Sequence, residues 1–214
     1  MSMAIDSMDD TTTLETLDEK LVERDPISQF QLWFDEALAA KLPMPEAMTL
    51  ATATPEGRPS ARMVLLKHVD DEGFVFFTNY HSAKAAQIES NPYAALVFYW
   101  NPLDRQVRVE GKVERTSAEE SEQYFQTRPR ESQIGAWASP QSSVIAGREV
   151  LEQRAQELED YYRDRRIECP AHWGGYRLRP DKIEFWKSRI GRLHDRIRYE
   201  LMTDGTWSIK RLAP

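Results

Sequence analysis

The chain has 214 residues, 41% hydrophobic and 29% charged, with a formal net charge of −7. That length suits one β-rich domain or two small ones with a sizeable core. Residues 1–25 hold eight acids and two bases, and the remainder is nearly balanced at 27 acids and 26 bases, so the body lacks the net basic surface that nucleic acid requires. Cys169 is the single cysteine, which excludes an intrachain disulfide and points to a cytoplasmic protein. Asp6, Asp9 and Asp10, with no apolar run around them, do not suit a signal peptide. The longest strongly apolar run, Ala94 to Trp100, is too short to span a bilayer.

Residues 1–24 read as a disordered acidic tail, being polar and aperiodic. Asp25-Pro26 is a helix start, followed at helical spacing by Ile27, Phe30, Trp33, Phe34 and Leu38. Strands are predicted over 48–54, 60–68 and 74–78, separated by turn residues at 55–57 and 70–73. Ser82 caps a short helix that stops at Asn91-Pro92. Two more strands follow over 93–100 and 106–115, with Gly111 as a candidate bulge. Ser117 and Glu120 form a capping-box pattern for a helix that ends before Pro129. Residues 133–142 read as a loop rich in small and amide side chains, and 143–165 as a long surface helix. Three or four strands are expected after Trp173-Gly174-Gly175, the last two joined by Asp204-Gly205. About eight strands with short turns predict an antiparallel split β-barrel, mainly β, with short helices packed outside. The absence of a strand–Gly-x-Gly-x-x-Gly–helix unit argues against a Rossmann fold.

Several clusters suit anions. Residues 184–198 read as strand, turn, strand, which places Arg192, His194, Arg196 and Arg198 on one face. Such a row either lies at a solvated edge or meets an anion, for which the Arg fork is well shaped. Arg62 and Lys67 bracket an apolar strand but face opposite sides of it, so they need not serve one ligand. Thr78, Ser82 and Lys84 surround a helix N-terminus, a ready anion site or an ordinary cap. Tyr124 and Arg128 share a helix face, with Ser132 close behind. His194 and Asp195 are adjacent in a strand and point apart, so no ordinary base–orienter pair is present. Phosphate-type sites with few acid–base residues suggest that a cofactor supplies the chemistry.

Taken together, Arg62-Met63-Val64-Leu65-Leu66-Lys67, the stretches 106–112 and 128–137, Trp173-Gly174-Gly175, Arg192 to Arg196 and Arg211 to Pro214 resemble the pyridoxamine 5′-phosphate oxidase family. The likeness covers residues 25–214 as one oxidase domain. It implies a homodimeric FMN-binding split barrel with each flavin between two subunits. It also implies oxidation of pyridoxamine and pyridoxine 5′-phosphates to pyridoxal 5′-phosphate, with O2 as acceptor and H2O2 as product. Carried over by resemblance, the FMN contacts are Arg62, Met63, Val64, Leu65, Leu66, Lys67, Phe77, Thr78, Lys84, Gln106, Gln141, Ser142, Trp186 and Arg196. The substrate phosphate falls to Lys67, Tyr124, Arg128 and Ser132. Arg192 and His194 are the implied catalytic pair, covering the pyridine ring. No metal is implied.

This chain departs from the family pattern at three places. Ala83 stands where Arg is usual, Phe77 where Tyr is common, and the N-terminal tail lacks a basic, tyrosine-containing segment. Two other readings stay open: a split-barrel flavin oxidoreductase with a different substrate, or a non-catalytic carrier of pyridoxal phosphate or flavin.

Overall fold

The computed structural model describes residues 16–214; the segment 1–15, most of the expected acidic tail, lies outside the described residues. Within them are five α-helices and nine strands. In chain order these are α1 (Pro26–Ala39), β1 (Ala47–Ala53), β2 (Pro59–Leu65), β3 (His68–Asp70), β4 (Gly73–Asn79), α2 (Ala83–Ser90), β5 (Tyr93–Trp100), β6 (Arg105–Arg115), α3 (Ala118–Thr127), α4 (Arg130–Ala138), α5 (Arg148–Tyr161), β7 (Trp173–Lys187), β8 (Asp195–Leu201) and β9 (Trp207–Arg211). Strand β1 pairs with β2, β3 with β4, β4 with β7, β7 with β8 and β8 with β9, each antiparallel. This is the mainly antiparallel split-barrel class that the short turns predict. Among the described residues no helix is long and apolar enough to cross a membrane.

The chain forms two compact units. Of the described residues, the first comprises 16–45, 96–109 and 181–214. Its core is aromatic. Phe30 of α1 lies 5.0 Å from Phe98, and Trp33 meets Phe185 edge-on at 5.2 Å. Burying one such ring is worth about 1.5–3 kcal/mol. The helix starts where its sequence says it should: Asp25 Oδ2 accepts the Ser28 N–H at 2.7 Å. Residues 16–24 depart from the disordered reading, because Leu17 is buried and the Tyr199 hydroxyl donates to the Glu23 carbonyl at 2.7 Å.

The second unit comprises 46–95 and 110–180. Met48 and Leu50 of β1, Phe74 and Phe76 of β4, and Ile88 of α2 are buried in it. A second cluster gathers Phe125, Ile134, Ile167 and Trp173, with Phe77, Tyr124 and Trp137 packed against it. Ser82 and Ser117 cap α2 and α3 through the Ala85 and Glu120 N–H groups, as their patterns predict.

Five further expectations are corrected. The strand read over 60–68 divides into β2 and β3, with Leu66 and Lys67 between them. Residues 133–142 are not all loop, since α4 runs through Ala138. The long helix is shorter than read and spans Arg148–Tyr161. Gly111 is not a bulge: the buried alternation of β6 continues through it, and a Cβ there would stand 2.0 Å from the Arg179 carbonyl oxygen. The cation row does not share one strand face. Gly191 and Arg192 both have positive φ, at 69° and 61°, which ends the extended geometry, and β8 begins only at Asp195.

Candidate active site

A cavity of about 610 Å³ opens in the second unit, within the usual range for small-molecule sites. The link after β2, the end of β4, α2, α3 and α4 all reach it. Its lining includes Met63, Val64, Leu65, Lys67, Phe77, Thr78, Lys84, Tyr124, Arg128, Ser132 and Gln141. Residues scattered over 79 positions of sequence thus meet at one concave surface.

One end is a polar cradle at the start of α2. Lys84 Nζ donates to Gln141 Oε1 at 2.9 Å, Thr78 Oγ1 at 3.2 Å and Ser82 Oγ at 3.4 Å. Ser142 Oγ accepts the Ala83 N–H at 3.2 Å. Every partner of Lys84 is neutral. Burial holds its ammonium below the usual lysine pKa, and the nearby Arg62 charge adds to this. Arg62 does not line the cavity. Its guanidinium donates to Thr52 Oγ1 at 2.6 Å, Gln87 Oε1 at 3.1 Å and the Leu50 carbonyl at 3.3 Å, and burial lowers its pKa too. Two partly buried cations without acids favour an anion between or beside them.

The other cluster rests on aromatic rings. Tyr124 stacks on Phe77 with centroids 4.1 Å apart, and the Arg128 guanidinium lies 4.6 Å from the Trp173 ring centre. Arg128 Nη1 is buried and has no hydrogen-bond partner. Burial depresses the Arg128 pKa and raises that of the Tyr124 phenol. An unpaired buried guanidinium nitrogen costs stability, and an anionic ligand would repay it. Lys67 and Ser132 line the same cavity.

Gln106, Trp186, Arg192, His194 and Arg196 lie in the first unit. His194 sits 4.7 Å from Trp186 between ring centroids, and its Nδ1 accepts the Arg189 N–H at 3.1 Å. That contact fixes which ring nitrogen stays available. Trp186 and Arg196 are paired across β7 and β8. Arg196 is neutralised within the chain: Glu184 accepts from it at 2.8 and 3.0 Å, which raises its pKa. Arg198 lies 3.6 Å from Glu200. Two cations of the predicted row, Arg196 and Arg198, are thus paired with carboxylates of the same sheet. Gln106 is half-buried on β6.

A family model described as "Pyridoxamine 5'-phosphate oxidase" matches residues 34–162, and one described as "Pyridoxine 5'-phosphate oxidase C-terminal dimerisation region" matches 173–214. The chain belongs to the pyridoxamine 5′-phosphate oxidase family. A pyridoxine/pyridoxamine 5′-phosphate oxidase of Trichormus variabilis is 56% identical over 202 residues, covering 94% of both chains. One from Gloeothece citriformis is 53% identical over 214 residues, covering 100% of both. Among solved structures, PhzG from Burkholderia lata, in complex with tetrahydrophenazine-1-carboxylic acid, is 30% identical with a TM-score of 0.88, covering 94% of this chain and 98% of that one. The family makes the chain an oxidoreductase of this type, with a dimerisation region at its C-terminus.

Within this family framework, the structure brings together Met63, Val64, Leu65, Lys67, Phe77, Thr78, Lys84, Tyr124, Arg128, Ser132 and Gln141 around one cavity. Leu66 is buried beside it in sequence, and Ser142 joins through its bond to Ala83. Ala83 itself is exposed at the first position of α2. Sequence reasoning missed the role of Trp173, which underlies Arg128 and lines the cavity. It also missed Thr52 and Gln87, the partners of Arg62. For Gln87 a signal was present, since it follows Lys84 by three positions on α2 and shares its side. Cys169 is unsuited to nucleophilic work: burial pushes its thiol up to about 11. Among the described residues no group of His, Cys, Asp and Glu could hold a metal ion.

Proposed function

We propose that the chain is an FMN-dependent oxidase that converts pyridoxamine 5′-phosphate and pyridoxine 5′-phosphate to pyridoxal 5′-phosphate, with O2 as acceptor and H2O2 as product. The observation that carries the reading is Arg128, its Nη1 buried and unbonded, in a cavity lined also by Lys67, Tyr124 and Ser132. Four donors at one place suit a phosphate dianion. The second cation set, Arg62 and Lys84 with neutral partners only, fits the phosphate of a bound flavin mononucleotide. FMN, when bound, supplies the electron acceptor for the substrate carbon and passes the electrons to dioxygen.

The protein groups bind and orient. Lys67, Tyr124, Arg128 and Ser132 anchor the substrate phosphate. The segment Met63 to Lys67, with Phe77, Thr78, Gln141 and Ser142, receives the cofactor beside Lys84 and Arg62. Gln106, Trp186 and Arg196 contribute to the cofactor site, and Arg192 and His194 hold the pyridine ring. Positioning two rings in this way can supply on the order of 7–11 kcal/mol of barrier reduction. The protein works as a cytoplasmic homodimer with the flavin at the subunit interface.

The likeness to a structure holding tetrahydrophenazine-1-carboxylic acid supports a second reading, in which a polycyclic carboxylate is the substrate. One experiment separates them. The purified protein should be yellow and release FMN on denaturation, identified by mass. Without oxygen, pyridoxine 5′-phosphate should bleach the flavin, while unphosphorylated pyridoxine should do so poorly. FAD, equal bleaching by the unphosphorylated compound, or bleaching by tetrahydrophenazine-1-carboxylic acid alone would overturn the proposal.

A further inference from the structure

Two groups of cations stand apart among the described residues. Arg115, Arg179, Arg196 and Arg211 each hydrogen-bond a carboxylate, and those bonds raise their pKa. Arg62, Lys84 and Arg128 have lowered pKa values from burial, and none of the three has a carboxylate partner among the described residues. Arg128 belongs to the proposed substrate site. Arg62 and Lys84 differ from it in being tied to one helix, because Gln87 of α2 reaches Arg62.

Both polar atoms of the Gln87 amide are engaged. Its Oε1 accepts from Arg62 Nη2 at 3.1 Å and from Thr52 Oγ1 at 2.6 Å, and its Nε2 donates to Ser60 Oγ at 3.0 Å. The Ser60 contact on one side of the amide leaves the oxygen facing the guanidinium. A carboxylate of the same shape would hold Arg62 more strongly, since charge-assisted bonds are the stronger ones. It would also cancel the charge.

We propose that Gln87 is a positioning residue for the cofactor phosphate: it holds Arg62 by a neutral contact, so the guanidinium is fixed while its charge stays free for the anion. Helix α2 then carries one phosphate cation, Lys84, and steers the other. This rests on the assignment of Arg62 and Lys84 to the phosphate of FMN made above. Stability and binding pull in opposite directions at this position, and that opposition is the test.

Gln87→Glu keeps the shape and adds a charge. The apo-protein should melt at the same temperature as the wild type or higher. Titration of apo-protein with FMN, followed by quenching of flavin fluorescence, should give a Kd raised about tenfold to a hundredfold. The wild-type affinity should fall steeply with added salt, and that of the variant less so, because one unpaired cation is gone. Gln87→Met, which removes the hold without adding a charge, should raise the Kd several-fold. Arg62→Met is the control. If it binds FMN like the wild type, the assignment of this site to the phosphate falls. If it binds weakly while both Gln87 variants bind normally, the role of Gln87 falls. A loss of affinity in Gln87→Glu that merely tracks a lower apo melting temperature would show a structural role and also overturn the proposal.

Discussion

Arg128 stands on the Trp173 ring with one guanidinium nitrogen buried and unbonded, so its charge is desolvated before any ligand arrives. Arg128→Met removes that cost and the anchor together. The variant is expected to retain FMN and to show a KM for pyridoxine 5′-phosphate raised about tenfold to a hundredfold, the usual loss for a charge-assisted bond. Steady-state kinetics on the FMN-loaded protein check this, and an unchanged KM would remove Arg128 from the substrate site. Lys84 allows a prediction with a definite sign. Its pKa is lowered by burial and by Arg62. A lysine whose folded pKa lies below its unfolded value destabilises the fold wherever it is charged in both states, and the penalty fades as pH rises through the folded pKa and is gone above the unfolded one. Near neutral pH the whole penalty is present. Lys84→Met should therefore raise the apo melting temperature at pH 7, with the gain shrinking toward the ordinary lysine pKa, while FMN binding weakens about tenfold or more. Thermal scans of the apo-protein at several pH values decide it, and a destabilised apo variant at pH 7 would count against the account.

Gly111 shows how an element constrains a residue. It lies inside β6 with the Arg179 carbonyl oxygen 2.0 Å from where a Cβ would stand and Pro180 Cα at 2.8 Å. These are backbone atoms, so they cannot swing away. Gly111→Ala should destabilise the fold by about 1–3 kcal/mol, a fall of roughly 2–12 °C in Tm for a chain of this size. A melt of the apo-protein measures it, and an unchanged Tm would mean that β6 and β7 part more easily than their approach suggests. The sequence named Gly111 as unusual but could not say why, because the cause lies about 70 positions downstream. Elements with local signals were legible: Asp25, Ser82 and Ser117 each cap the helix they announce. Helix α4 was not, since Pro129 caps without a side-chain bond and Gly135, Ala136 and Ala138 carry little periodicity. The break before β8 was hidden for a different reason. Residues 192–198 alternate as a strand would, and only the positive φ of Gly191 and Arg192 interrupts them. The site shows the same division. Tyr124, Arg128 and Ser132 are close in sequence and form one cluster there. The partners that shape the charges, Trp173 under Arg128, Gln87 beside Arg62 and Glu184 against Arg196, come from tertiary contact or strand register.

At the scale of the whole molecule, the residues assigned to one reaction come from different parts of the chain. Lys67, Tyr124, Arg128 and Ser132 belong to the second unit, Arg192 and His194 to the first. The family model over 173–214 describes a dimerisation region, and that region contains Trp186, Arg192, His194 and Arg196. A homodimer that shares its flavin between subunits would draw the two sets from different chains. Mixing tests this directly. Assayed at pyridoxine 5′-phosphate far below the raised KM, Arg128→Met and Arg192→Ala are each expected to show little activity alone. If every site takes Arg128 from one chain and Arg192 from its partner, each mixed dimer has one site with both lesions and one with none. Equal amounts, dissociated and reassociated at random, should then recover about a quarter of wild-type activity, since half of the dimers are mixed and half of their sites intact. If both residues of a site come from one chain, every site keeps one lesion and mixing restores nothing. Sedimentation of the mixture establishes that exchange has occurred. A mixture that exchanges fully and stays inactive would refute the shared site, and a stable monomer that retains its FMN would refute the dimer itself.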